Sequence, residues 1–187
     1  YPEEGKYHFS GHRNCKVSID PMKITAEGNI CPVCKRRMTE GVLYRVQQLS
    51  DKALLARVDV KMSSHGLKWY TDKMKKFPPY IKLVPLNEIV AESLSSTVFS
   101  QKVKDTFALL CEQFGSELQV LLKTPIEDIS KITDARIADG IRRVRGGNIV
   151  IDPGYDGEYG KVAIWPEEEE KKPARNASHS DAGGEDI

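Results

Sequence analysis

Apolar and polar positions change rhythm twice along this chain. Residues 6–42 hold only short β-prone pieces, at 6–9 and 16–19, set among glycines with no long apolar run. That pattern predicts a small β module too poor in apolar residues to fold on burial alone. Leu43, Val46 and Leu49 then fall on one face of a short helix over 42–49. Residues 50–84 show no clean period, and Pro78-Pro79 marks an extended loop. From Pro85 onward the period is helical. A helix over 85–94 starts with a proline in its first turn, where the missing N–H costs nothing. Val103, Phe107, Leu110, Cys111 and Phe114 recur in steps of three and four, and Gly115 ends that helix. Cys111 therefore reads as a core thiol. Shorter helices are predicted over 116–123, 125–131 and 134–145, the last ended by Gly146-Gly147. Thr124 is the expected cap of the second, with Pro125 at its first position and Glu127 and Asp128 near its positive end. Residues 148–152 and 161–165 read as two strands joined by the glycine-rich stretch 153–160.

Composition sets the class. With 187 residues, 40% hydrophobic and 29% charged, the chain belongs among soluble globular proteins with one core or two small modules. No run of about 18 apolar residues is present and the N-terminus is acidic, so a cytoplasmic protein is expected. The net charge of +1 hides an asymmetry, since residues 167–187 carry seven acids against three bases. That tail is net −4, leaving +5 on residues 1–166, and it is expected to be disordered.

The cysteines supply candidate chemistry. Cys15, Cys31 and Cys34 cluster in a chain with four cysteines in all, which in a reducing compartment favours metal over disulfides. His12-Arg13-Asn14-Cys15 and Cys31-Pro32-Val33-Cys34 are two knuckles with a two-residue gap, a spacing that turns both donors to one side. Four protein donors leave no open position, so the implied metal is one structural zinc. His8, four residues upstream of His12, is the alternative fourth ligand; His12 is preferred because its spacing to Cys15 mirrors that of the cysteine knuckle. The expected fold class is α+β: a zinc-ribbon-like β module over 1–42, a basic connecting segment packed with it over 43–84, and a mainly helical domain over 85–166 that ends in a β-hairpin. The tail over 167–187 follows.

Two basic regions are candidates for nucleic-acid contact. Between 61 and 82, lysines that include Lys68, Lys73, Lys75 and Lys76 interleave with Trp69, Tyr70, Phe77 and Tyr80. Aromatic faces there can stack on unpaired bases while lysines neutralise phosphates, or the aromatics belong to a core. Arg142, Arg143 and Arg145, with Lys131 and Arg136, form either a phosphate-facing edge or an ordinary solvated helix face. Residues 114–145 resemble a helix-hairpin-helix repeat of DNA-repair proteins, with Thr133-Asp134-Ala135-Arg136 in place of the glycine-rich hairpin. A degenerate hairpin without glycines limits close backbone approach to a phosphate. The stretch 153–160 lacks the order of a phosphate loop and reads as a structured turn.

Glu3-Glu4-Gly5-Lys6-Tyr7-His8, the two knuckles, Val84-Pro85-Leu86-Asn87-Glu88-Ile89, Phe114-Gly115-Ser116-Glu117 and Pro153-Gly154-Tyr155-Asp156-Gly157-Glu158-Tyr159-Gly160 together resemble one family. The chain is similar, over about residues 1–165, to the C-terminal part of endonuclease Q and of bacterial UvrD-helicase-associated relatives. The resemblance implies an upstream PHP-type metallohydrolase domain and a whole protein that nicks DNA 5′ to deaminated or abasic nucleotides. It also implies DNA as partner, damaged duplex or locally unpaired, with a helicase as a further partner and no membrane. A PHP site needs many His, Asp and Glu ligands, and this chain has four histidines and no His-x-His pair. The expectation is therefore a non-catalytic C-terminal part of a larger nuclease. The alternative is a zinc-ribbon protein-interaction module associated with a helicase.

Overall fold

The computed structural model describes residues 1–24, 29–50 and 57–166; the acidic tail lies outside the described residues. The fold is α+β, with three separate two-stranded antiparallel hairpins and a helical bundle among the described residues. In the N-terminal module, β1 (Ser10–His12) pairs with β2 (Val17–Ile19), with Gly11 opposite Ser18. Strand formation thus begins one residue after the predicted 6–9 piece. A helix, α1 (Val42–Leu49), follows as expected, but it buries none of its residues: Val46 and Leu49 are exposed.

Within the stretch read as lacking a period, residues 58–72 form a regular hairpin, a correction to the sequence reading. Strand β3 (Val58–Met62) pairs with β4 (Lys68–Asp72) over five residue pairs, from Val58 opposite Asp72 to Met62 opposite Lys68. The turn between them is closed by Ser63, whose hydroxyl accepts from the amides of His65 and Leu67. Gly66 there has φ +78, a backbone state that favours glycine.

Helices α2 (Leu86–Ser93), α3 (Gln101–Phe114), α4 (Glu117–Leu122), α5 (Ile126–Ile132) and α6 (Ala135–Gly146) form the bundle. Their ends follow from local chemistry. Ser100 accepts from the Val103 amide to start α3, Gly115 at φ +94 ends it, and Ser116 caps α4. Asp134 accepts from the Arg136 amide to start α6, and Gly147 at φ +64 ends it. Thr124 does not cap α5; its hydroxyl donates to the Gln119 carbonyl and closes α4 instead, while Pro125 occupies the cap position. The core is one cluster of fully buried side chains: Leu86, Ile89, Val90, Leu110, Val120, Ile129, Ile137 and Ile141. Each such side chain stabilises the bundle by roughly 1.5–3 kcal/mol. Cys111 is half-buried against this cluster rather than within it, and burial, with Glu117 nearby, pushes its thiol up.

The last hairpin, β5 (Val150–Asp152) with β6 (Lys161–Ala163), matches the predicted pair. Ile164 and Trp165 then dock on the bundle, where the Glu92 carboxylate accepts from both of their amides. The loop between the strands goes elsewhere, back to the N-terminal module. Phe9 donates to the Gly154 carbonyl, Gly154 to that of Glu3, Gly157 to that of Lys6 and Gly160 to that of Glu4, all within 3.0 Å. Tyr155 sits so close to Gly11 that a Cβ there would lie 2.3 Å from its ring. The glycine-rich stretch is thus a turn, as read, and it closes the N-terminal module from the far end of the chain.

Candidate metal centre and basic surfaces

His12, Cys15, Cys31 and Cys34 converge: their donor atoms all lie within 4.8 Å of one another, and Cys34 Sγ is 3.2 Å from His12 Nδ1. Local backbone explains the convergence. His12 ends β1, a single 3-10 turn over Arg13–Cys15 carries the chain round, and Lys16 at φ 52 closes it. The second knuckle is closed the same way, with Lys35 at φ 59 and its amide donating to the Cys31 carbonyl. Cys31 is fully buried, and His12, Cys15 and Cys34 are half-buried. His8 lies outside the set; it is buried against Phe9, at 5.3 Å between ring centres.

The donor set fits zinc. Bonds of about 2.3 Å to sulfur and 2.0–2.1 Å to nitrogen imply tetrahedron edges of roughly 3.5–3.8 Å, which the separations of 3.2 to 4.8 Å bracket. The thiols are electrically unlike. Burial pushes Cys31 up, but amides of Cys34 and Val33 and the His12 ring overcome it and hold this thiol down to about 6. Burial and hydrogen bonds with Cys34 and Cys31 push Cys15 up to about 11. Metal ligation requires thiolates, so a bound cation would favour the ionised form of all three cysteines. The arrangement is compatible with one metal site.

A residue missed in the sequence reading braces this centre. Asp156, in the glycine-rich loop, accepts from the Arg13 amide at 2.6 Å and from the Thr39 hydroxyl. Burial raises its carboxyl, but those two bonds and the charges of Arg13 and His12 hold it below the usual carboxylate range. No short-range spacing signals a partner so far along the chain.

The predicted nucleic-acid residues separate into three groups. On β3–β4, cross-strand partners share a face, so Asp59, Lys61, Trp69 and Thr71 lie on one side and Val58, Val60, Lys68, Tyr70 and Asp72 on the other. The first side continues into an open groove of about 630 Å³ whose lining includes Lys61, Lys73, Lys75, Lys76 and Phe77. Asp72 builds the turn that presents these lysines. Its carboxylate accepts from the Met74 and Lys76 amides and pairs with Arg57 at 2.8 Å. Lys68 is on the opposite side, its Nζ 3.2 Å from where a Cβ at Gly147 would stand, at the C-terminal end of α6. Tyr70 stacks on Tyr80 at 4.9 Å between ring centres.

The arginines of α6 are largely engaged within the chain. Arg136 lies 4.2 Å over the Trp165 ring, and Arg143 6.0 Å from it. Asp139 takes ion pairs from both Arg142 and Arg143. Arg145 departs most from the sequence reading. It is 3% exposed and donates to the carbonyls of Val120, Leu121 and Thr124, so it is withdrawn from any phosphate-facing edge. The carbonyls belong to the end of α4, where a cation is favoured. At the degenerate hairpin, the Asp134 carboxylate occupies the start of α6, the place a phosphate would need.

Comparison with known proteins accords with this architecture. A family model described as the MJ0043 C-terminal domain matches residues 85–148. The uncharacterized protein MJ0043 of Methanocaldococcus jannaschii is 30% identical over 169 residues, 90% of this chain and 19% of the relative. The uncharacterized protein YqxK of Bacillus subtilis is 25% identical over 162 residues, 86% of this chain and 33% of the relative. The lesion-specific endonuclease PfuEndoQ of Pyrococcus furiosus superposes with a TM-score of 0.65 at 31% identity, covering 92% of this chain and 38% of that one. Endonuclease Q in complex with a 27-mer duplex bearing an abasic lesion superposes at 0.62 with 30% identity, covering 95% and 40%. The chain therefore resembles endonuclease Q over nearly all its length and is related to DNA-repair nucleases, while spanning about two fifths of those enzymes. Among the described residues no helix is long and apolar enough to cross a membrane.

Proposed function

We propose that this chain is a zinc-clamped, DNA-contacting accessory part of a lesion-processing nuclease, and that it holds DNA along the lysine-lined side of the β3–β4 hairpin. One observation carries the reading: Lys61, Lys73, Lys75 and Lys76 border a single open groove together with Phe77, which is 62% exposed. Of the two acids in that groove, Asp72 is neutralised by Arg57. Exposed lysines beside an exposed aromatic ring suit a polyanion with accessible base faces. The similarity to endonuclease Q supports the same reading, since that enzyme takes a duplex with an abasic lesion as its substrate.

In this reading the zinc supplies no reaction chemistry. When bound, it would be held by His12, Cys15, Cys31 and Cys34, filling a tetrahedron and fixing the two knuckles. Chemistry in the larger protein would come from a separate metallohydrolase domain, with this part orienting the strand beside the lesion. Damaged nucleotides leave the stack more readily than intact ones, and a basic, aromatic surface nearby lowers the cost of holding the opened strand.

The test is a salt titration of duplex binding with the zinc-loaded chain. A Lys73→Ser/Lys75→Ser/Lys76→Ser variant should lose affinity and reduce the slope of log K against log salt by about 0.9 per contact removed. Equal slopes for parent and variant would remove the groove from the DNA path. In the same experiment, Arg145 variants should leave the slope unchanged.

A further inference from the structure

Outside the hairpin groove, the metal centre itself carries a second cluster of cations. Lys16 and Lys35 stand at equivalent places, each directly after the second ligand of its knuckle, at φ 52 and φ 59. Both positions need a left-handed backbone that glycine adopts freely and a side chain does not. A long cationic residue is held there twice. Arg36 follows Lys35, and Arg13 lies inside the first knuckle; all four side chains are exposed. The donor atoms of the two knuckles lie within 4.8 Å of one another, so Lys16 and Lys35 each directly follow one of two neighbouring donors. No acid lies within either knuckle. The neighbouring carboxylates are occupied, Asp156 by the Arg13 amide and Thr39 hydroxyl and Glu40 by Arg37. Among the described residues no ion pair involves Lys16, Lys35 or Arg36. Val33, at the tip of the second knuckle, is 66% exposed and adds an apolar contact point.

We propose that the tips of the two zinc knuckles form a separate phosphate-binding surface for DNA, with Lys16, Lys35 and Arg36 as its contacts. The proposal rests on the accessory DNA-binding role given above and adds a second foothold to it. Each lysine is fixed at its base by the metal-held turn, so less freedom is lost on meeting a phosphate than for a lysine on a mobile loop. The competing explanation is electrostatic: zinc with three thiolates and a neutral imidazole carries one net negative charge, and the lysines would serve as its counter-charges. The two explanations separate cleanly because glycine suits both backbone positions. A Lys16→Gly/Lys35→Gly variant removes the charges without straining the turns.

The experiment measures duplex binding from 50 to 200 mM salt for the zinc-saturated parent and the double glycine variant, alongside zinc affinity by chelator competition. Loss of two phosphate contacts should lower the slope of log K against log salt by about 1.8 and shrink the affinity ratio across that range about twelvefold. Zinc affinity should stay within twofold of the parent. An unchanged slope in the variant, with the parent binding normally, overturns the knuckle surface and leaves the hairpin groove standing. A variant that loses zinc while keeping its slope assigns the lysines to charge compensation and also overturns it. If the parent itself shows no salt-dependent binding, the accessory DNA-binding role fails first.

Discussion

Replacing Arg145 by methionine tests whether this side chain is a strut or a DNA contact. The guanidinium donates from Nε to the Leu121 carbonyl at 2.9 Å and from Nη2 to those of Val120 at 2.7 Å and Thr124 at 2.6 Å, with a longer reach to His65 at 3.4 Å. Methionine fills similar volume and donates nothing. Three buried carbonyls then lose their partner, at about 1–3 kcal/mol each. Against that, removal of the arginine returns the cost of burying a cation, itself several kcal/mol. The net expectation is a loss of about 2–4 kcal/mol. For a chain of this size each kcal/mol lowers Tm by about 2–4 °C, so the midpoint should fall by about 4–16 °C in a melt followed by circular dichroism. Duplex binding, measured well below the midpoint, should keep its salt slope. A melt within about 1 kcal/mol of the parent, together with a slope reduced by about 0.9, would refute the strut and return Arg145 to the phosphates.

Other consequences follow from the same contacts. The chain should bind one zinc, and Cys31→Ser should reduce zinc content well below stoichiometric and loosen the N-terminal module; full zinc in that variant by elemental analysis would discard the ligand assignment. Asp156→Asn should weaken zinc about tenfold in chelator competition, as losses around a metal site commonly do, because the Arg13 turn loses its carboxylate brace; an unchanged affinity would make Asp156 a loop contact alone. Burial raises the Asp72 carboxyl, but the Met74 amide, Arg57 and the Lys76 amide overcome it and hold it down to about 2. A depressed carboxyl contributes stability that is complete above its ordinary value of 3.8 and is lost as pH falls through about 2. Acid titration of the hairpin, read by fluorescence, should show a step in that window that Asp72→Asn abolishes; a step that survives the substitution belongs to another group. Gly140→Ala should destabilise the bundle by about 1–3 kcal/mol, since the new Cβ would lie 3.0 Å from both Ile89 and Trp165; a neutral urea midpoint would show that Trp165 can give way.

How much of this was legible in the sequence depends on the range of the interaction. The helices of 86–146 were readable because their determinants are local: a three-and-four spacing of apolar residues, serine or aspartate before the first turn, and glycine after the last. The convergence of His12, Cys15, Cys31 and Cys34 was readable for the same reason, since a two-residue gap nearly dictates the turn. The β3–β4 hairpin was missed although its signal is present. Val58-Asp59-Val60-Lys61-Met62 alternates with period two, but Val58, Val60 and Met62 are all exposed, so the alternation does not mark a buried face. The partners of the α6 arginines were not legible because charge on a helix is visible in sequence and its partner is not. Asp139 and Trp165 engage Arg142 and Arg143, while the end of α4 takes Arg145 across 21 to 25 positions. Asp156 shows the limit most plainly, because it reaches the Arg13 amide across 143 positions. The lysines at positive φ are harder still. A reader expects glycine at a left-handed turn, and Lys16, Lys35 and Lys75 stand there instead. Each such residue costs roughly 1–2 kcal/mol of backbone strain. Two of the three close the metal knuckles and the third lies in the hairpin groove. Ser95 and Asp156 hold the same backbone state elsewhere in the fold, so the strain marks tight turns in general, and it is the exposed lysine side chains, not the strain, that carry the case for DNA.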